Sequence, residues 1–248
     1  MTFKAIILAA GVGDRLGAPW KAMPKALLRF GDRTLLARHI AILKDAGVDE
    51  IVIGVGYRAD LITAELDAIG AGSMVRTVVN PRYREGSVVT IWSLREEFAA
   101  GRPILMMDAD VLYDARMIQR LCESRHANCL LYDADIEDGE EPVKICIRGG
   151  EIVDFGKTVN PDHDHHGESV GFFRFTPEAA SHLARIVAGY VEARQSSEMY
   201  EEAIRDLMRA VPLGTFGIED VTGLPWIEID FPEDIARAET EVLPHLAG

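Results

Sequence analysis

The residue types best suited to chemistry come early: Gly11, Gly13, Arg15 and Lys25 fall within LAAGVGDRLGAPWKAMPKALL, positions 8–28. The preceding run, Lys4 to Ala9 (KAIILA), reads as a short buried strand, and the two glycines let the following backbone turn its N–H groups toward an anion. Arg15 and Lys25 add the charge that glycine lacks, so the stretch points to phosphate. A dinucleotide fingerprint would need a third glycine where Leu16 stands, and an NTPase phosphate loop would need Gly-Lys followed by Ser or Thr, which this loop does not contain. A second constellation, Asp108 and Asp110, closes the apolar run that begins at Pro103. Two apart at the carboxyl end of a predicted strand, both side chains would project from one face toward the crevice where open α/β sheets bind ligands. Such a pair can hold Mg²⁺, which needs few protein ligands when phosphate oxygens and water supply the rest. The cluster Asp162-His163-Asp164-His165-His166 offers ligand types too, but its polar setting beside proline and glycine marks a solvated loop and not a required site.

Hydropathy supplies the frame for these groups. Leu35, Leu36, His39, Ile40 and Leu43 recur at helical spacing before Gly47, a C-terminal cap; Glu50 to Val55 reads as a strand, 59–69 as a helix and Val75 to Val79 as a strand. Residues 87–99 read as a helix with Ser87 as N-cap, followed by the strand that leads to Asp108. Regular crossovers of this kind predict an α/β, Rossmann-like fold with a mostly parallel mixed sheet and helices on both faces. From residue 128 the strands NCLLYDA, VKICIRGGEIVDFG and SVGFFRF follow one another without helices, which predicts an antiparallel extension with a hairpin turn at Arg148-Gly149-Gly150-Glu151. Helices over 177–193 and 198–210, a last strand from Trp226 to Asp230, and a helix opened by Pro232 complete the reading. The 248 residues are expected to form one domain with two halves, 1–127 and 128–248.

A net charge of −14 argues against nucleic acid or an anionic membrane as partner. The first 30 residues, however, carry Lys4, Arg15, Lys21, Lys25 and Arg29 against Asp14 alone, a local positive site suited to a small polyanion. Cys122, Cys129 and Cys146 are scattered and odd in number, as reduced core thiols are. The N-terminal apolar run is too short for a signal peptide, and no later one reaches membrane-spanning length, so the cytoplasm is the expected compartment, with a monomer or homodimer as the expected state.

The stretch Leu8, Ala9, Ala10, Gly11, Gly13, Arg15, Leu16, then Pro24 and Lys25, resembles the signature LAAGxGxRL…PK of the nucleotidyltransferases that join a nucleoside triphosphate to a phosphorylated small molecule. Asp14 replaces the usual Ser or Thr before the arginine. The resemblance implies nucleotide binding by Leu8, Ala9, Ala10, Gly11 and Gly13, catalytic roles for Arg15 and Lys25, and Mg²⁺ at Asp110 with a second carboxylate at Asp230; Asp108 falls to the nucleotide side. The segments NPRYREGSVVTIWSL, DAD, VKICIRGGEIVDFGK, GESVGFFRF and WIEIDFPED look most like the cytidylyltransferases of phosphocholine and related phosphate or phosphonate amines. That likeness implies CTP as donor, base or ribose contacts from Asn80, Gly86 and Ser87, and acceptor-phosphate contacts from Lys144 and Lys157. A cationic acceptor would suit Trp92, Glu198, Tyr200 and Glu201, with Tyr83, Trp226 and Glu202 as further candidates. Two alternatives stand beside this one: a sugar-1-phosphate nucleotidyltransferase using UTP, GTP or dTTP, and a nucleotide sensor without turnover.

Overall fold

The computed structural model describes residues 2–136 and 142–246. Its strands are β1 (Lys4–Ala9), β2 (Arg29–Phe30), β3 (Arg33–Thr34), β4 (Glu50–Val55), β5 (Val75–Val79), β6 (Ile104–Asp108), β7 (Val111–Tyr113), β8 (Asn128–Asp133), β9 (Lys144–Arg148), β10 (Glu151–Gly156), β11 (His165–Phe175), β12 (Phe216–Asp220) and β13 (Trp226–Glu228). The α-helices are α1 (Leu35–Asp45), α2 (Ala59–Ala68), α3 (Val88–Ser93), α4 (Arg95–Phe98), α5 (Arg116–Glu123), α6 (Pro177–Glu192), α7 (Tyr200–Arg209) and α8 (Pro232–Arg237).

After Lys4, strand β1 is apolar because it is covered on both faces: Ala5, Ile7 and Ala9 pack into one cluster and Ile6 into the other. Helices α1, α2 and α5 cover the first face through residues such as Leu36, Ile62 and Ile118, whereas α3, α6 and α7 cover the second through Val89, Leu183 and Ile204. Each fully buried Leu or Ile contributes roughly 1.5–3 kcal/mol. The main sheet runs β10-β9-β11-β6-β1-β4-β5, with β8 also paired to β11 and β12 to β8. β6, β1, β4 and β5 are parallel, and β11 joins β6 antiparallel. The chain leaves β1 toward β4 on one side and returns to β6 on the other, so a crevice opens at the carboxyl ends of β1 and β6. The Gly11–Arg15 loop follows one of these strands and Asp108 ends the other.

The expected helix over 87–99 is broken at Leu94 into α3 and α4. Ser87 does not cap it: its hydroxyl accepts from Tyr200 N–H at 2.8 Å and so caps the start of α7, which begins two residues later than expected. The last predicted strand contributes only β13 and lies outside the main sheet, paired antiparallel with β7. β11 begins earlier than expected, so His165 and His166 lie on its exposed first residues, with His166 Nδ1 2.9 Å from His163 Nε2. The hairpin turn at 148–151 joins β9 to β10, and Gly47 follows the C-cap of α1. Cys122, Cys129 and Cys146 are free thiols, and burial pushes all three up, Cys129 to about 11. No helix among the described residues is long and apolar enough to cross a membrane.

Candidate active site

Lys25 owes its position to a single turn: Pro24 accepts from Leu27 N–H at 2.9 Å, and Ala26 and Leu27 drop into the core, which turns the Lys25 side chain the other way. It passes close over Gly13, whose φ of +68° and a contact of 3.1 Å from any added Cβ to Lys25 Cγ leave room for glycine alone. The Lys25 ammonium bonds Asp110 Oδ2 at 2.9 Å and Asp230 Oδ1 at 2.5 Å, and Arg15 Nη1 bonds Asp230 Oδ2 at 2.9 Å. These carboxylates meet because of the small β7-β13 ribbon. Its register sets Glu228 opposite Val111, Ile229 N–H donates to the Asp110 carbonyl at 2.9 Å, and Asp234 in the first turn of α8 accepts from Asp230 N–H at 2.8 Å.

Oxygens of Asp110, Glu228 and Asp230 lie within 4.8 Å of one another, a donor set of hard anionic ligands suited to a divalent cation. The Lys25 ammonium between two of them acts as a stand-in positive charge, so the residues present fit a Mg²⁺ site. Glu228 was missed in the sequence, although it stands two residues before Asp230 as Asp108 stands two before Asp110. It is exposed to the cavity at the wall of the crevice; desolvation and then the charges of Asp110 and Asp230 push it up to about 8. Asp230 is held below its ordinary value because Lys25 and Arg15 outweigh its burial, and the two carboxylates raise Lys25 against its own burial. Asp108 is raised well above the carboxylate range, first by burial and then by Asp110, and accepts the Tyr200 hydroxyl. Gly171, in the irregular middle of β11, has φ +79°, and a Cβ there would come within 2.3 Å of Asp108 Oδ2.

These groups share a cavity of about 530 Å³. Of the expected residues, Leu8, Ala10, Gly11, Gly13, Arg15, Lys25, Tyr83, Gly86, Ser87, Asp108, Asp110, Lys157, Tyr200, Glu201 and Asp230 line it, and Ala9 lines a smaller adjoining recess. Asn80, Trp92, Lys144 and Glu198 do not. Asn80 is buried, bonding Thr90 and the Arg82 N–H, and so shapes the 81–87 loop from beneath. Trp92 lies under the guanidinium of Arg95 at 4.5 Å and of Arg82 at 5.8 Å. Lys144 takes part in the β9–β10 and β9–β11 pairings, and the Glu198 carbonyl accepts from Val88 N–H. Trp226 is also turned away, donating to Asp133 at 2.7 Å. The positive patch read from the first 30 residues is likewise divided: Lys4 is buried at the opposite end of β1, 2.9 Å from Glu97, and Lys21 pairs with Asp14. Residues unforeseen on the cavity wall include Arg84, Glu85, Glu168 and Ser169.

His39 serves the site from behind. Buried in α1, it has Nε2 3.2 Å from the carbonyl of Ala109, between the two aspartates, and Nδ1 3.3 Å from the Tyr113 hydroxyl. A carbonyl only accepts, so Nε2 carries the proton and Nδ1 accepts from Tyr113. Burial lowers His39 to about 4 and keeps it neutral.

A parallel-sheet crevice with a glycine loop, two cations and converging carboxylates on a Rossmann-like fold is an arrangement suited to phosphate groups. The model of the MobA-like NTP transferase domain matches residues 5–154, and the chain belongs to that family. It is 30% identical over 96% of its length to a bifunctional IPC transferase and DIPP synthase of Rubrobacter xylanophilus, of which it covers 52%. It is 26% identical over 97% of its length to the CMP-5'-(3-aminopropyl)phosphonate synthase of Streptomyces rubellomurinus, covering 39% of that protein. The chain thus spans about half or less of these curated relatives. Among solved structures, the CTP:phosphocholine cytidylyltransferase of Streptococcus pneumoniae superposes with a TM-score of 0.77 at 22% identity, over 96% of this chain and 98% of that one, a likeness of fold.

Proposed function

We propose that this chain transfers CMP from CTP to a small phosphorylated or phosphonate amine, releasing pyrophosphate. The observation that carries the reading is the meeting of the Gly11–Arg15 loop, Lys25 and the carboxylates Asp110, Glu228 and Asp230 in one cavity that also holds Lys157 and further carboxylates. The names of relatives and neighbours that act with CTP or on phosphonates support the choice of donor and acceptor.

An anionic oxygen of the acceptor attacks the α-phosphorus in line; one P–O bond forms, the bond to the β-phosphate bridging oxygen breaks, and pyrophosphate departs with that electron pair. The nucleophile is already ionised near neutral pH, so the protein needs no general base and works by positioning and charge neutralisation. Arg15 and the Gly11–Gly13 amides hold the β- and γ-phosphates, Lys25 stabilises charge growing at the α-phosphate, and Lys157 draws the acceptor phosphoryl. Asp110, Glu228 and Asp230 would hold Mg²⁺, which when bound supplies Lewis-acid neutralisation of phosphate oxygens. Pyrophosphate release with CTP, UTP, GTP, ATP and dTTP, each paired with amine phosphates, amine phosphonates and hexose-1-phosphates, tests the assignment. Highest kcat/KM with CTP and an amine acceptor is expected; a hexose-1-phosphate in first place would overturn it.

A further inference from the structure

Glu201 stands in the first turn of α7 on the cavity wall, with a residue exposure of 9%. Its Oε2 is buried without a hydrogen-bond partner. A buried acceptor left unmade costs free energy that a bound donor returns, so this atom marks a place for a ligand N–H or O–H. Lys157 lines the same cavity as Glu201 and Asp230 and is the cation there suited to an acceptor phosphoryl group, which leaves the other end of a short acceptor to the orphaned carboxylate.

Aromatic faces, the usual receptors for a quaternary ammonium, are engaged elsewhere. Trp92 is covered by Arg95 and Arg82, Trp226 donates to Asp133, Arg84 lies 5.4 Å over the Tyr83 ring, Phe155 on the cavity wall is fully buried with its ring 6.0 Å from that of Phe173, and the Tyr200 ring packs edge-on to Phe173 while its hydroxyl binds Asp108. What the cavity offers a cation is therefore a hydrogen-bond acceptor. We infer that Glu201 is the specificity-determining residue for the acceptor and receives a primary ammonium, so that the substrate is a short phosphate or phosphonate with its phosphoryl group at Lys157 and an N–H donor at Glu201 Oε2. A trimethylammonium group has no N–H to donate and leaves the atom unpaired. This rests on the transferase reading above and narrows its acceptor.

The test compares 2-aminoethylphosphonate, its neutral isostere propylphosphonate, and phosphocholine, each with CTP. A charge-assisted hydrogen bond to a buried carboxylate predicts kcat/KM for the primary amine roughly 10- to 100-fold above either other acceptor, chiefly through KM. E201Q should bring the ratio of amine to isostere to about one. Because the comparison of acceptors uses the wild-type protein, it holds whether or not the variant folds. Phosphocholine equal to or better than the primary amine would overturn the inference, as would an E201Q defect that appears in calorimetric binding of CTP alone. If no acceptor yields pyrophosphate, the transferase reading fails, and titration of 2-aminoethylphosphonate against propylphosphonate into the protein still judges Glu201: tighter binding of the amine supports the inference, and equal affinities overturn it.

Discussion

The ammonium of Lys25 lies between Asp110 and Asp230, where a divalent cation and a triphosphate would both place charge. Its own charge is needed most when negative charge grows at the α-phosphate, so K25A is expected to lower kcat by about 10² or more, the size of effect seen when one preorganised donor to a developing anion is lost. Steady-state kinetics beside circular dichroism check this; full turnover in a folded K25A protein would remove Lys25 from the chemistry. At the same cluster an amide is a poorer ligand for a hard cation than a carboxylate, so D110N, E228Q and D230N should each raise the Mg²⁺ concentration at half-maximal rate, whereas H165A should leave it unmoved. A magnesium titration with unchanged midpoints for all three carboxylate variants would place the ion elsewhere.

At the scale of elements, α1 holds the Asp108–Asp110 turn through His39. The ring is neutral in the folded state, with its pKa lowered from 6.5 to about 4 by burial. A folded pKa below the unfolded one means that the unfolded chain binds the proton first, so this contribution is constant above about pH 6.5 and is lost as pH falls toward 4, by up to about 3 kcal/mol. Urea unfolding at pH 7 and pH 4.5 should show a smaller acid loss for H39Q than for the wild type. The periodicity of α1 was legible because residues on one helical face share the core; the role of His39 was not, because its partners Ala109 and Tyr113 lie 70 and 74 residues away. Ser87 misled for the same reason: a residue with the chemistry of an N-cap caps the start of a helix 113 positions along the chain.

Across the whole molecule, an acidic chain of net charge −14 brings Arg15, Lys25, Arg84 and Lys157 to one cavity wall, where they stand among eight carboxylates, so they serve the proposed polyphosphate as local partners and not as a net positive field. Ligand that binds only the folded state at about 100 times its Kd adds roughly 2.7 kcal/mol, or on the order of 5–10 °C in Tm for a chain of this size. Thermal melting with Mg²⁺ should therefore rise more with CTP than with equal UTP; equal shifts would remove the base preference. The sequence by itself determined the succession of strands and helices in the first half of the chain, the glycine loop with Arg15 and Lys25, and the Asp108–Asp110 pair, since each depends on neighbours within a few residues or on a period of two or 3.6. The tertiary structure alone decided that Glu228 joins Asp110 and Asp230, that Trp92 faces arginines instead of the cavity, and that Glu201 is left with an unpaired oxygen, because each of these is fixed by the packing of segments distant in sequence.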